Sequence, residues 1–155
     1  MACFLVSCGG PSAVAPPPTY SEAQLQQIQQ YLPDIQDKFA RMDNLAKAIQ
    51  QSNWQEIATI MRGPLGQMIQ DMRNVNRHLL PSDQKAAQEL TRTFFEDFVA
   101  IDQSATNKNA MDASKYYDEA VRDFEKYLSR LPEMPEIADE VSDISEEVSG
   151  ISGST

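Results

Sequence analysis

Few residues in this chain carry reactive chemistry: in 155 residues there are two cysteines, Cys3 and Cys8, and one histidine, His78. Cys8 closes the run Leu5-Val6-Ser7-Cys8. That run has the form of a bacterial lipobox, with an apolar residue and small residues ahead of a cysteine that becomes the lipidated first residue. The proline-rich stretch from Gly9 to Pro18 follows, with neither helical nor strand periodicity, and reads as an extended tether. A secretory signal has a charged start and an apolar stretch of about 7–15 residues. Only seven residues precede Cys8, so either the sequence begins inside the signal or the motif is accidental. In the second case the cysteines are incidental to a disordered start, or form a Cys3–Cys8 disulfide. With no further cysteine, neither a disulfide framework nor a zinc ribbon is available to hold a fold.

The remaining chemistry is sparse. A carboxylate di-metal centre needs Glu-x-x-His on two helices, whereas Val75 stands three residues before the only histidine. No Cys-x-x-Cys-His run is present for haem. His78 with Asp83 is at most an adventitious cation site, because the spacing matches no recognised loop. Gly63-Pro64-Leu65-Gly66-Gln67 lacks the Lys-Ser/Thr of a phosphate cradle. Acidic residues such as Glu96, Asp97 and Glu119 read as solvated face, since adjacent helical residues do not face each other. No nucleophile, base and orienting group come together. The expectation is a non-catalytic binding or scaffolding body without a cofactor.

Charge narrows the partners. The net charge is −10, and 41% of residues are apolar with a mean hydropathy of −0.46. Nucleic-acid binding rests on Lys and Arg neutralising phosphates, so it is excluded as a class, as is adhesion to anionic lipid by a basic patch. From Glu133 to Thr155 there are seven acidic residues and no basic one, so the rest of the chain is close to neutral. Such asymmetry marks a tail separate from the fold. Within that tail Ile137, Val141, Ile144, Val148 and Ile151 recur at helical spacing, yet its Ser, Gly and β-branched content is poor for an isolated helix. It reads as a solvating acidic tail; folding against a basic or apolar partner groove is the alternative.

Four segments position whatever the surface does. The first runs from Ser21 to about Gln51, with a capping-box pattern at Ser21 and Gln24 and a seam of Leu25, Ile28, Leu32, Ile35, Phe39, Met42, Ala46 and Ile49. Pro33 lacks an N–H and predicts a kink or break near Tyr31–Leu32. The second starts after Ser52 or Asn53, with Trp54, Ile57, Met61, Leu65, Met68, Met72, Val75 and Leu79 inward. Its Gly63-Pro64-Leu65-Gly66 element predicts a local kink without chain reversal, because the apolar register continues on both sides. The third is expected to be capped by Ser82, with Asp83 in its first turn and Ala87, Leu90, Phe94, Phe98, Ile101 and Ala105 inward, Phe95 beside them. The Asn107-Lys108-Asn109 turn leads to the fourth, from Ala110 to Leu131. There Ala113, Tyr117, Ala120 or Val121, Phe124, Leu128 and Leu131 point inward, with Tyr116 and Tyr127 at the edges. Short connections make sequential helices antiparallel neighbours. The expected class is all-α, an up-down-up-down four-helix bundle over residues 21–132, with a tether over 1–20 and an acidic tail over 133–155.

The order of several pieces is familiar. Thr19-Tyr20-Ser21, Asn53-Trp54, Gly63-Pro64-Leu65-Gly66-Gln67, Asp71-Met72, Leu79-Leu80-Pro81 with Asp83-Gln84, and Tyr117 with Glu119-Ala120 and Asp123-Phe124 follow one another along residues 19–132. In that order they resemble the cyanobacterial PsbQ-like proteins, extrinsic subunits of photosystem II. The resemblance implies a four-helix bundle lipidated at Cys8 and held on the lumenal side of the thylakoid membrane. It also implies docking beside neighbouring extrinsic lumenal proteins to stabilise the oxygen-evolving complex, with no electron transfer and no catalytic metal. The acidic tail departs from the family pattern. The expected docking surface is the second-segment kink and the corner after it, where Gly63, Pro64 and Gly66 permit close backbone approach and Gln67, Asp71, Arg73 and Asp83 offer polar contacts. The competing class is a bacterial lipoprotein bundle that scaffolds another membrane complex or carries a small apolar ligand.

Overall fold

The hydroxyl of Ser21 accepts from the Gln24 amide at 3.3 Å, while the Gln24 side chain accepts from the Ser21 amide at 3.0 Å. This closed capping box starts α1 (Glu22–Phe39) in the computed structural model, which describes residues 18–133. α2 (Met42–Gln50), α3 (Trp54–Ile60), a wide, kinked turn (Met61–Leu65) in which Gly63 leaves the helical region, α4 (Gly66–Asn76), α5 (Pro81–Thr106) and α6 (Ala110–Leu128) follow. Among the described residues every regular element is helical, as expected. The lipobox, most of the tether and nearly all of the acidic tail lie outside them.

α1 continues through Pro33 as one helix, so of the kink or break expected near Tyr31–Leu32 the break does not occur. The carbonyl that loses its partner belongs to Gln29, which is exposed and open to water. On either side Leu32 and Ile35 are buried and hold the helix to the core. The break falls instead at Ala40–Arg41, where the Arg41 amide bonds the Lys38 carbonyl in a tight turn. Beyond it Leu45 and Ala48 are buried and Ala46 is not, so the seam shifts from the one the intervals gave. α1 then packs on α4, whereas α2 packs on α3 and α6.

Asn53 caps α3, accepting from the Glu56 amide at 3.2 Å. Pro64 can return no N–H to the carbonyl of Ile60, and its ring crowds that carbonyl. The chain opens into the wide turn around it and resumes helix at once, a kink without reversal. Across it Ile57, Met61, Leu65, Met68, Met72, Val75 and Leu79 are all buried.

α5 starts at Pro81, earlier than expected. Leu80 is the extended N-cap residue (ψ 149°), and Ser82 caps nothing, because Pro81 takes the first helical position, where no N–H is needed. Asn109 caps α6 through the Asp112 amide at 3.1 Å. α6 ends at Leu128, and its Tyr127 is fully buried, not at an edge.

One apolar core joins all the segments. Its centre is aromatic: the rings of Phe39 and Phe124 stack 4.0 Å apart, and Phe94 lies 5.8 Å from Phe124 and 4.4 Å from Phe98. Asn76 and Thr91 are the buried polar pair between α4 and α5, joined at 2.9 Å. Asp97 is buried as well, with 7% exposed, which overturns its reading as solvated face.

Candidate docking surface

The expected docking corner divides into a part that faces solvent and a part spent on the fold. Gly63 and Gln67 are exposed, and Pro64 and Gly66 half-buried, on the outside of the wide turn and the start of α4. A Cβ at Gly63 would meet nothing within 4 Å, so no other part of the described chain approaches this backbone. At Gly66 the nearest atom would be the Met61 carbonyl at 3.4 Å, within the same rod. The kink therefore presents a bare stretch of backbone outward.

The charged members of the corner are engaged internally. Asp71 receives the Lys38 ammonium at 2.7 Å, tying α1 to α4. Both side chains are largely shielded, and this hydrogen bond is the main reason the lysine's pKa is raised. Asp83 accepts from the Tyr20 hydroxyl at 2.9 Å. Arg73 lies over the Phe95 ring, 5.7 Å from its centre. Positions 71 and 73 are about 200° apart around a helix, so Asp71 turns to α1 and Arg73 to α5. These residues do not form one polar patch.

Three side chains outside the expected docking set, Tyr20, Gln24 and Gln84, hold the corner together. The Tyr20 hydroxyl donates to Asp83 and accepts from the Leu80 amide at 3.3 Å, capping the start of α5 from outside it. Burial, above all, raises the Tyr20 pKa. The Gln24 amide group donates to the His78 carbonyl at 3.2 Å, and Gln84 donates to the Asn76 carbonyl at 2.9 Å. These bonds satisfy carbonyls left open where α4 ends. His78 thus contributes backbone to the corner. Among the described residues no group of three or more His, Cys, Asp or Glu is placed to hold a metal ion.

A second polar feature lies between α5 and α6, a groove of about 290 Å³ lined by Thr93, Asp97, Glu119, Arg122, Asp123 and Lys126. Burial first, then Asp123, Glu119 and Glu96, push the Asp97 carboxyl up to about 6. A signal for its burial was present: Asp97 stands three residues after Phe94 and four before Ile101, in register with the seam. Among the described residues the exposed large apolar side chains are Phe95, Val99 and Met111. No helix among the described residues is long and apolar enough to cross a membrane.

This helical architecture, with its outward kink and its corner pinned through Tyr20, accompanies a clear relationship to known proteins. The family model for PsbQ, oxygen evolving enhancer protein 3, matches residues 2–132. A relative named CyanoQ, from Synechocystis sp., is 37% identical over 133 residues, spanning 83% of this chain and 87% of its own length. A match of that extent, from both sources, means that the chain belongs to the PsbQ family.

Proposed function

We propose that the chain is a non-catalytic extrinsic lipoprotein subunit that docks on the lumenal face of photosystem II and helps to stabilise the oxygen-evolving complex. The observation that carries the reading is the family match, which runs across all the described helices and back over the lipobox. Docking supplies function by mass action: whichever assembly state the protein binds is stabilised by the binding free energy. A fitted cover of this kind supports neighbouring extrinsic proteins and limits ion exchange at the centre beneath it.

The helices form an up-down-up-down bundle in this reading, with α1 and α2 as the first rod and α3, the wide turn and α4 as the second. α5 and α6 are the third and fourth. Packing of α1 on α4, α2 on α3, α4 on α5 and α5 on α6 supports that arrangement. Residues 21–132 are the bundle, 1–20 the lipobox and tether, and 133–155 a solvating acidic tail. Cys8 carries the lipid. One buried acyl chain gives marginal binding, whereas several confine the protein to the membrane plane and raise its effective concentration near the complex. The bare backbone of the kink, with Gln67 beside it, is the part of the corner offered to the partner.

Fractionation of the source membranes tests the reading. The chain is expected to travel with oxygen-evolving photosystem II particles, and Cys8→Ser to lose membrane retention while keeping its helicity. Absence of the chain from those particles would remove the docking role.

A further inference from the structure

Three carboxylates converge on the α5–α6 groove: Asp97 from α5, and Glu119 and Asp123 from α6. Cations stand nearby, and each has at least one partner elsewhere. Lys126 holds the Asp123 carboxylate at 2.7 Å, Lys115 stands 3.9 Å from Glu119, and the Arg122 Nε–H donates to the Asp118 carbonyl. The deepest carboxylate has no such partner. Asp97 is only 7% exposed, and its Oδ2 is buried without a hydrogen-bond partner. A buried anion left in this state is costly, and a cation brought against it repays that cost.

The groove itself selects the cation. Its lining is charged or hydroxylic, which disfavours an apolar ligand, and its three carboxylates outnumber the two cations that also line it, Arg122 and Lys126. The carboxylates do not meet the grouping a metal ion requires. A volume of about 290 Å³ equals the liquid share of about ten waters, room for one long side chain. We infer that the α5–α6 groove receives one lysine or arginine side chain from the protein surface on which the chain docks, its head pairing with Asp97 between Glu119 and Asp123. The inference rests on the docking reading above and gives that docking a contact of defined chemistry. It also accounts for a carboxyl group pushed up to about 6 by its surroundings, since a partner cation restores the charged form.

The test has two arms. In the first, photosystem II cores stripped of this chain are titrated with the full chain, with Asp97→Asn, and with Glu125→Gln, which removes the same charge from an exposed position of α6. Asp97→Asn is expected to bind at least about tenfold more weakly than the other two, with its thermal unfolding no lower than that of the parent. Equal binding by Asp97→Asn and Glu125→Gln overturns the inference and leaves docking intact. Failure of the parent chain to bind overturns the docking reading instead, and the second arm then decides the groove. There the free full chain is titrated at pH 7 with butylammonium chloride, calcium chloride and sodium chloride at matched ionic strength, followed by amide and side-chain NMR shifts. Shifts centred on Asp97, Glu119 and Asp123 with butylammonium, absent in Asp97→Asn, support the receptor. A response to calcium alone, or no response beyond that to sodium, overturns it.

Discussion

Tyr127 donates its phenolic O–H to the carbonyl oxygen of Met72 across 3.3 Å, joining the end of α6 to the middle of α4. Both residues are fully buried, and the Tyr127 ring continues the aromatic stack, 6.2 Å from Phe124. Burial holds the phenol well above its ordinary pKa, so it stays a donor at any pH the fold meets. Tyr127→Phe keeps the ring and loses only the hydrogen bond, at an expected cost of about 0.5–1.5 kcal/mol. Tyr127→Ala opens a cavity as well and is expected to cost about 3–5 kcal/mol. Urea denaturation followed by circular dichroism separates the two.

Asp97 predicts an unusual pH dependence. Its carboxyl titrates near 6 in the fold against 3.8 in its ordinary setting. Between those values the folded chain holds a proton that the unfolded chain has released, so this group's contribution to stability falls as pH rises through the window. Asp97→Asn is therefore expected to be more stable than the parent at pH 7, by about 1–2 kcal/mol. The difference should vanish toward pH 4. Denaturation midpoints across pH 4–8 check the sign.

Lys38 and Asp71 form the ion pair between α1 and α4, with side chains 20% and 17% exposed. Partial burial places the pair above an ordinary surface bridge, and a double-mutant cycle with Lys38→Met and Asp71→Leu is expected to give a coupling of about 1 kcal/mol. Because the lysine's pKa is raised, its contribution is complete below its ordinary value of 10.5 and fades as pH climbs through the higher folded value. Repeating the cycle in strong alkali should therefore shrink the coupling.

Tyr20→Phe tests the corner locally. The variant leaves the Leu80 amide without its hydroxyl acceptor and Asp83 without its donor. Faster hydrogen exchange at Leu80 is expected, with a loss of about 1 kcal/mol in overall stability.

The outward kink is best probed at Gln67, which is exposed. Gln67→Trp is expected to weaken association with photosystem II while leaving helicity unchanged. Gly66→Trp is a harsher version, since a Cβ there already lies 3.4 Å from the Met61 carbonyl. Cosedimentation of each variant with stripped complexes reads the effect.

What was legible in the sequence follows the range of the forces involved. Caps act within four residues, so Ser21 with Gln24 marked a real helix start, and of Ser52 and Asn53 it is Asn53 that caps; the Asn109 cap was read only as part of a polar turn. The seam of the second segment survived its kink because apolar spacing on both sides agreed. Pro33 did not break α1, because its penalty depends on whether the orphaned carbonyl reaches water, and that depends on which face packs inward. Asp97 and Tyr127 misled for one shared reason: residue type argued for the surface, while the crossing of a distant helix argued for the interior. Of the docking corner, the glycine-proline kink could be read from composition. The commitment of Asp71 to Lys38, and of Asp83 to Tyr20, needed segments far apart in sequence to meet.

The wide turn at Met61–Leu65 acts as a phase adjuster for everything after it. Gly63 leaves the helical region there (φ −90°, ψ −110°), which spares Pro64 the clash that an unbroken helix would impose. Deleting one residue to straighten the rod would put that clash back. It would also rotate α4 by about 100° relative to α3, swinging Asp71 away from Lys38 and the Met72 carbonyl away from Tyr127. The apparent irregularity keeps two halves of one rod in step, and a smoother helix would be the worse fit.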